Sequence, residues 1–308
     1  MAASHVMKNR VPMHPIRKRI VLIYNMLWLI FAVLVILYLA FVKPVTYDIV
    51  YSIPVHEDIP CIKDLLNNIF NIHRDKFNVC VILHMSNDLW NSCDELRSLD
   101  HVYINPSHFD SKLPSHDLVK KHIENFQFAE SMFSFKLFSC IASNCMFFKS
   151  PDPDYIQDLM NEQINISPDE ICTDGLDDDW PWKKLINNDP TNKKKLCDKK
   201  IGFHFGTIEG WTVNYTIFKQ MIKLIDELHI DSGTINYPSE EVIFEGTKRY
   251  LTGKAGHVMC KVYYHQPAIT EDIFNHYYQG HGEKQICILK RVPRNIDDPI
   301  RLLFRNLS

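Results

Sequence analysis

Residues 20–42 (IVLIYNMLWLIFAVLVILYLAFV) form an unbroken apolar run of 23 residues whose one strongly polar member is Asn25. A helix rises about 1.5 Å per residue and the hydrocarbon of a bilayer is about 30 Å thick, so the run is long enough to cross a membrane. Lys8, Arg10, Arg17, Lys18 and Arg19 precede it, and no acidic residue occurs before Asp48. The positive-inside bias then predicts a cytoplasmic N-terminus and a type II topology. A cleaved signal peptide would have a shorter apolar stretch, about 7–15 residues, ending in small side chains. This run ends Ala40-Phe41-Val42 before Lys43-Pro44. The expected layout is a basic cytoplasmic tail over 1–19, a signal-anchor over 20–42, a short stem over 43–47 and a lumenal domain over 48–308. So short a stem would keep the domain close to the membrane.

The chain after the anchor is long enough for one domain with a substantial core. A formal charge of −3 with dispersed basic residues lacks the footprint of a nucleic-acid binder. All nine cysteines (Cys61, Cys80, Cys93, Cys140, Cys145, Cys172, Cys197, Cys260 and Cys287) follow the anchor, where an oxidising lumen would permit disulfides. The odd number leaves at least one unpaired within the chain, and several buried thiols are the alternative. Asn165-Ile-Ser167, Asn214-Tyr-Thr216 and Asn306-Leu-Ser308 are glycosylation triplets on the same side, in keeping with a lumenal glycoprotein.

Asp48–Ile53 reads as a strand, the spacing of Ile62, Leu65, Leu66, Ile69 and Phe70 as a helix, and Phe77–Leu83 as a second strand. Strand, helix, strand is a parallel βαβ unit. Short runs at His101–Ile104 and Cys145–Phe148, with a helix expected over Phe126–Phe138 between them, continue the alternation of an α/β layered sheet. From Ser150 to Lys200 the chain turns to Asp, Asn, Pro and Lys, which predicts a large surface insertion. Order returns at Ile201–Phe205, with helices expected over Tyr215–Leu228 and from Ser239 to about Tyr250.

Familiar chemistries fail on spacing. Gly246 to Gly253-Lys254-Ala255 has six intervening residues where a phosphate loop has four, and Ala where a hydroxyl would hold magnesium. No Gly-x-Ser-x-Gly elbow and no His-Glu-x-x-His motif occurs. Cys140 and Cys145 lack a second ligand pair at zinc-like spacing. The segment that could carry chemistry is Tyr237-Pro-Ser-Glu-Glu-Val-Ile-Phe244. Ser239 is placed as an N-cap, and Glu240 and Glu241 fall in the first helical turn, where the dipole favours negative charge. Two readings stay open there: acids that merely start a helix, and a catalytic base.

That segment resembles the Tyr-Ser-Pro-Asp-Glu stretch of the core-2/I-branching β-1,6-N-acetylglucosaminyltransferases, a family of Golgi type II enzymes. Tyr51-Ser-Ile-Pro-Val-His56 is similar to the family's opening Tyr-Ser-Ile-Val-Val-His. Gly202-Phe-His-Phe205 resembles the segment before the carboxylate motif, and Lys284-Gln-Ile-Cys-Ile-Leu289 an Arg-x-Val-Cys-Ile-Phe segment near the C-terminus. The matches are short, but they keep their order over most of residues 48–290. The resemblance implies a GT-A-type fold, with a mixed, mainly parallel central sheet flanked by helices and one transmembrane helix before it. It also implies an inverting, metal-independent transfer of a sugar, N-acetylglucosamine in the family, from a UDP-sugar to a glycan or glycoprotein hydroxyl. Glu241 would then be the general base and Glu240 would orient the acceptor. Lys284 would meet the diphosphate in place of an arginine, and His56 the nucleotide.

Departures from the family pattern matter too. Where the family has an acid shortly after its second strand, this chain has Cys80-Val-Ile-Leu-His84. After Cys287 a Gly-rich turn is replaced by Lys290-Arg-Val-Pro-Arg294, whose Lys290, Arg291 and Arg294 could supply further diphosphate contacts. Trp180 and Trp182 could stack on an acceptor sugar or pin their loop to the core. Two alternatives remain: a non-catalytic lumenal binding protein, and a metal-dependent transferase using Asp152 and Asp154, with Asp177-Asp-Asp179 a weaker placement for such a motif.

Overall fold

The computed structural model describes residues 23–33, 45–111, 115–166, 174–175 and 182–307. The chain divides into two units, Met1–Val45 and Thr46–Ser308. In the first, residues 23–33 are an exposed helix. Among the described residues no helix is long and apolar enough to cross a membrane. The flanks of the expected span, 20–22 and 34–42, lie outside the described residues, as does the tail over 1–19.

The second unit begins at Thr46, so the last two residues of the expected stem already belong to its first strand. That strand, β1 (Thr46–Pro54), is buried over nearly its whole length, as a central strand covered on both faces must be. Helix α1 (Ile59–His73) starts with proline in its first turn, where a missing N–H costs nothing, and buries Ile62, Leu65, Leu66 and Ile69 on one stripe. It leads to β2 (Val79–His84), which pairs parallel with β1. Beyond β2 come β3 (Val102–Ile104), α2 (Asp117–Met132) and β4 (Ser134–Cys140). The helix expected over Phe126–Phe138 therefore ends at Met132. Ser134–Cys140 is extended because it runs parallel to β1, where Leu137 and Phe138 pack on opposite faces of the sheet.

Next come β5 (Cys145–Phe147), α3 (Pro153–Asn161), β6 (Asp174–Gly175), β7 (Phe203–His204) and β8 (Trp211–Asn214). They are followed by α4 (Tyr215–Leu228), α5 (Glu240–Thr252), β9 (His257–Val258), β10 (Cys260–Lys261), α6 (Glu271–Tyr278), β11 (Ile288–Lys290) and α7 (Pro299–Arg305). The polar region from Ser150 to Lys200 is more structured than expected: besides α3 it holds short helices at Lys183–Asn187 and Pro190–Asp198.

The central sheet has the order β3-β2-β1-β4-β8-β9, with the first four strands mutually parallel, β8 antiparallel to β4, and β9 antiparallel to β8. This is the α/β architecture that the pattern predicts, and its sheet is mixed and mainly parallel. One apolar cluster lies under α1 and the small sheet β10-β11-β5, and the other under α2, α4 and α5. Strand order reverses between β1 and β4, because β1 is followed leftward by β2 and β3 while α2 carries the chain back to β4. In open parallel sheets that switch point, at the carboxyl ends of the strands, is where ligands bind. Cys197 is disulfide-bonded. Cys61, Cys80, Cys93, Cys140, Cys145, Cys260 and Cys287 are free, buried thiols.

Candidate active site

The carboxylate helix α5 starts where the sequence places it, but Ser239 does not cap it. Its backbone is already helical and its side chain makes no capping bond. The hydroxyl instead stands 3.0 Å from His116 Nδ1 and 3.4 Å from the Ser115 carbonyl, fixing the start of α5 against the start of α2. Burial lowers the His116 pKa to about 4, so the imidazole is neutral near pH 7.

Both acids in the first turn of α5 are buried, Glu240 at 4% exposure and Glu241 at 8%. Burial, then the neighbouring Glu241 and Glu209 carboxylates, push the Glu240 pKa well above the ordinary carboxylate range. Desolvation outweighs the favourable helix dipole at this position. Glu240 Oε2 has no hydrogen-bond partner among the described residues.

Glu209 and Tyr264 join this cluster from loops. Glu209 is buried and forms an ion pair with Lys290 of β11. Burial works against the Lys290 ammonium, yet the Glu209 carboxylate holds its pKa above the ordinary value. Burial, followed by the charge of Glu241, raises the Tyr264 hydroxyl to about 12, and that hydroxyl lies 3.1 Å from Thr207 Oγ1. The loop between β7 and β8 is held in place by backbone: Gly206 N–H donates to the Glu241 carbonyl at 2.9 Å. Gly210 has φ +73°, and a Cβ there would come within 2.7 Å of Cys260, so only glycine fits.

Tyr264 and Thr207 also line a cleft of about 730 Å³ whose other walls include Asp152, Tyr155, His257 and Lys284. Glu241 does not line this cleft, though its charge reaches Tyr264, while Lys284 lies on the cleft wall. Lys284 is 83% exposed and pairs with Asp152 at 2.8 Å. Asp152 is also the N-cap of α3, accepting from the backbone N–H groups of Asp154 and Tyr155, and Asp154 is exposed. The Asp152/Asp154 pair is therefore a helix start. Among the described residues no three His, Cys, Asp or Glu side chains converge as a metal-binding group.

The basic run after Cys287 does not act as one patch. Lys290 turns to Glu209, Arg291 donates to the Tyr264 and Gln266 carbonyls from a left-handed backbone, and Arg294 pairs with buried Glu57 at 3.0 Å. His56 reaches solvent just beyond β1. Desolvation by its surroundings, then the charges of Lys121 and Arg294, lower it to about 4. Trp182 is partly buried against the core and precedes the helix at Lys183–Asn187. Trp180 and Asp177–Asp179 lie outside the described residues.

The sequence reading passed over Glu209, Tyr264, Glu57 and Lys121. Glu209 had a local signal, an acid before glycine between two extended runs. The others are brought in by tertiary contact alone. Beneath the switch point runs a buried polar chain: Ser52 Oγ lies 2.8 Å from His122 Nδ1, Asn125 donates to Ser52 at 2.9 Å, and Asn105 donates to Asn125 at 3.0 Å. Full pairing makes such a chain a rigid element. No family model and no curated protein matches this chain.

Proposed function

We propose that the chain is an inverting glycosyltransferase of the GT-A type, held in a Golgi or other secretory-pathway membrane by residues 20–42, with its catalytic domain in the lumen. It transfers a sugar, with N-acetylglucosamine the first choice, from a UDP-sugar to a glycan hydroxyl. Glu241 takes the proton from the acceptor hydroxyl as that oxygen attacks the anomeric carbon. The observation that carries the reading is the buried carboxylate pair at the start of α5, whose Glu240 charge reaches Cys140 at the carboxyl end of β4 and whose Glu241 charge reaches Tyr264 on the wall of a cleft of about 730 Å³. Glu240, whose pKa burial raises well above the ordinary carboxylate range, packs beside the base. The mechanism calls for no metal, since basic side chains meet the departing diphosphate.

A specific observation favours a second reading, a lumenal binding protein without turnover: Lys284, Lys290 and Arg294 are each already paired with a carboxylate. Release of UDP from a panel of UDP-sugars by the full chain in EDTA separates the two. Turnover that disappears in Glu241→Gln supports the transferase. UDP-sugar binding without turnover supports the binder, and equal activity in Glu241→Gln removes Glu241 as the base.

A further inference from the structure

On the walls of the cleft, His257 is built in more firmly than its place on the short strand β9 requires. Its backbone pairs with Thr212 of β8. Gly256, just before it, donates its N–H to Glu245 Oε2 at 2.9 Å, and a Cβ there would fall 1.8 Å from Trp211 Nε1, so only glycine fits. Lys248, fully buried on α5, donates to the Ala255 carbonyl and to Glu162 Oε1, both at 2.7 Å. The same Glu162 oxygen lies 3.6 Å from His257 Nε2. Burial works against the Glu162 carboxylate, yet His257 and Lys248 hold its pKa below the ordinary value. A buried ion pair thus stands behind an imidazole that keeps 30% of its side-chain surface exposed.

That carboxylate fixes the tautomer. It only accepts, so Nε2 carries a hydrogen, and in the neutral ring Nδ1 is the acceptor. The Tyr155 hydroxyl, from α3 and also on the cleft wall, stands 3.4 Å from Nδ1, longer than a well-made hydrogen bond. Burial, then the charges of Cys287 and Glu162, raise the Tyr155 pKa, so the phenol keeps its proton. An acceptor nitrogen and a donor hydroxyl so loosely joined suit a group that donates to one and accepts from the other through a single atom. An ammonium only donates and a carboxylate only accepts, whereas a hydroxyl does both.

We infer that His257 and Tyr155 form a subsite for a sugar hydroxyl, which donates to His257 Nδ1 and accepts from Tyr155. The subsite rests on the transferase reading only in taking the cleft as the place where a sugar sits. The hydroxyl keeps its proton in this contact, so the subsite adds to the base proposed at Glu241 and does not replace it. The Lys248–Glu162 pair supplies preorganisation: the ring is oriented before the hydroxyl arrives, and little side-chain freedom is lost on binding.

Calorimetric titration of the full chain with free N-acetylglucosamine, galactose and xylose tests the subsite. At least one of these sugars should bind the wild type at millimolar concentrations. His257→Phe keeps a flat ring but removes the acceptor, and Tyr155→Phe removes only the donor; each should weaken that sugar by about 3–10-fold. His257→Gln, whose amide oxygen accepts, should recover part of the loss. Thermal melting of each variant shows that it is folded, and Tyr155→Phe alone decides if His257→Phe is not. If none of the sugars binds the wild type, or if the variants bind as the wild type does, there is no such subsite. Free sugars release no UDP, so the two readings fail separately. Sugar binding that depends on His257 without any UDP release would overturn the transferase and keep the subsite, and UDP release with sugar affinity unchanged in the variants would do the reverse.

Discussion

The hydroxyl of Ser239 and Nδ1 of His116 meet at 3.0 Å across 123 residues of chain, and this contact ties the start of α5, where both glutamates lie, to the start of α2. Ser239→Ala leaves a buried imidazole without its partner and should cost about 1–3 kcal/mol of stability. On the proposed transferase reading, with Glu241 two residues away, UDP release should fall more than stability alone explains. Chemical denaturation and UDP release, measured on the same preparation, check both.

Glu240→Gln should separate the two acids. Glu240 has a folded pKa raised above its ordinary 4.5, so the stability it contributes at low pH is lost as pH rises above that value. The glutamine variant titrates nowhere, and should therefore gain on the wild type as pH rises above about 4.5. It should also keep most of the transfer activity, whereas Glu241→Gln should lose it. Urea midpoints at pH 5 and pH 8 give the first outcome, and initial rates the second.

Three buried histidines predict the acid limb. His73 and His116 are lowered to about 4 and His122 to about 3, in each case first by burial. All three are neutral in the fold, while their unfolded counterparts take up protons below about 6.5. Stability should therefore fall as pH drops from about 6.5 to about 4, by about 1–3 kcal/mol per histidine, and be insensitive to them above that window. Glu240 and Glu57, with raised pKa values, act in the opposite sense above about 4.5. His122→Gln should flatten the limb, which unfolding curves between pH 4 and 7 would show.

The three glycosylation triplets should not behave alike. Asn214 is buried, its Oδ1 caps α4 by accepting from Ile217 N–H, and its Nδ2 donates to the Leu159 and Glu162 carbonyls. A glycan on that nitrogen would break both of those bonds, whereas Asn165 and Asn306 are exposed. For a lumenal domain, glycosidase treatment should reveal mobility shifts that Asn165→Gln or Asn306→Gln removes and Asn214→Gln leaves intact.

Much of the architecture can be read from local patterns. The β-branched runs around Val50 and Val81 give the parallel pair, and the apolar spacing from Tyr215 to Leu228 gives α4 at the bounds the structure has. The boundary at Phe133 was misjudged because Phe126, Phe128, Phe133, Phe135 and Phe138 satisfy a helical and an extended period at once, and pairing with β1 decides between them. The carboxylate pair was legible because it lies on one helical turn. Its setting was not, since Glu209, Tyr264 and His116 reach it through contacts between distant loops. Lys284 was placed by its position in a segment, yet its charge is committed to Asp152, which no local rule pairs with it.

The seven sequestered thiols make the protein its own unfolding clock. A thiolate must reach solvent before an alkylating reagent can trap it, and each of these sulfurs is closed off in the fold. They lie on α1, β2, β4, β5 and β10, just before β11 and at Cys93, and they sample both apolar clusters. The order in which they become labelled would therefore chart which layer of the domain opens first, with no probe added to the chain.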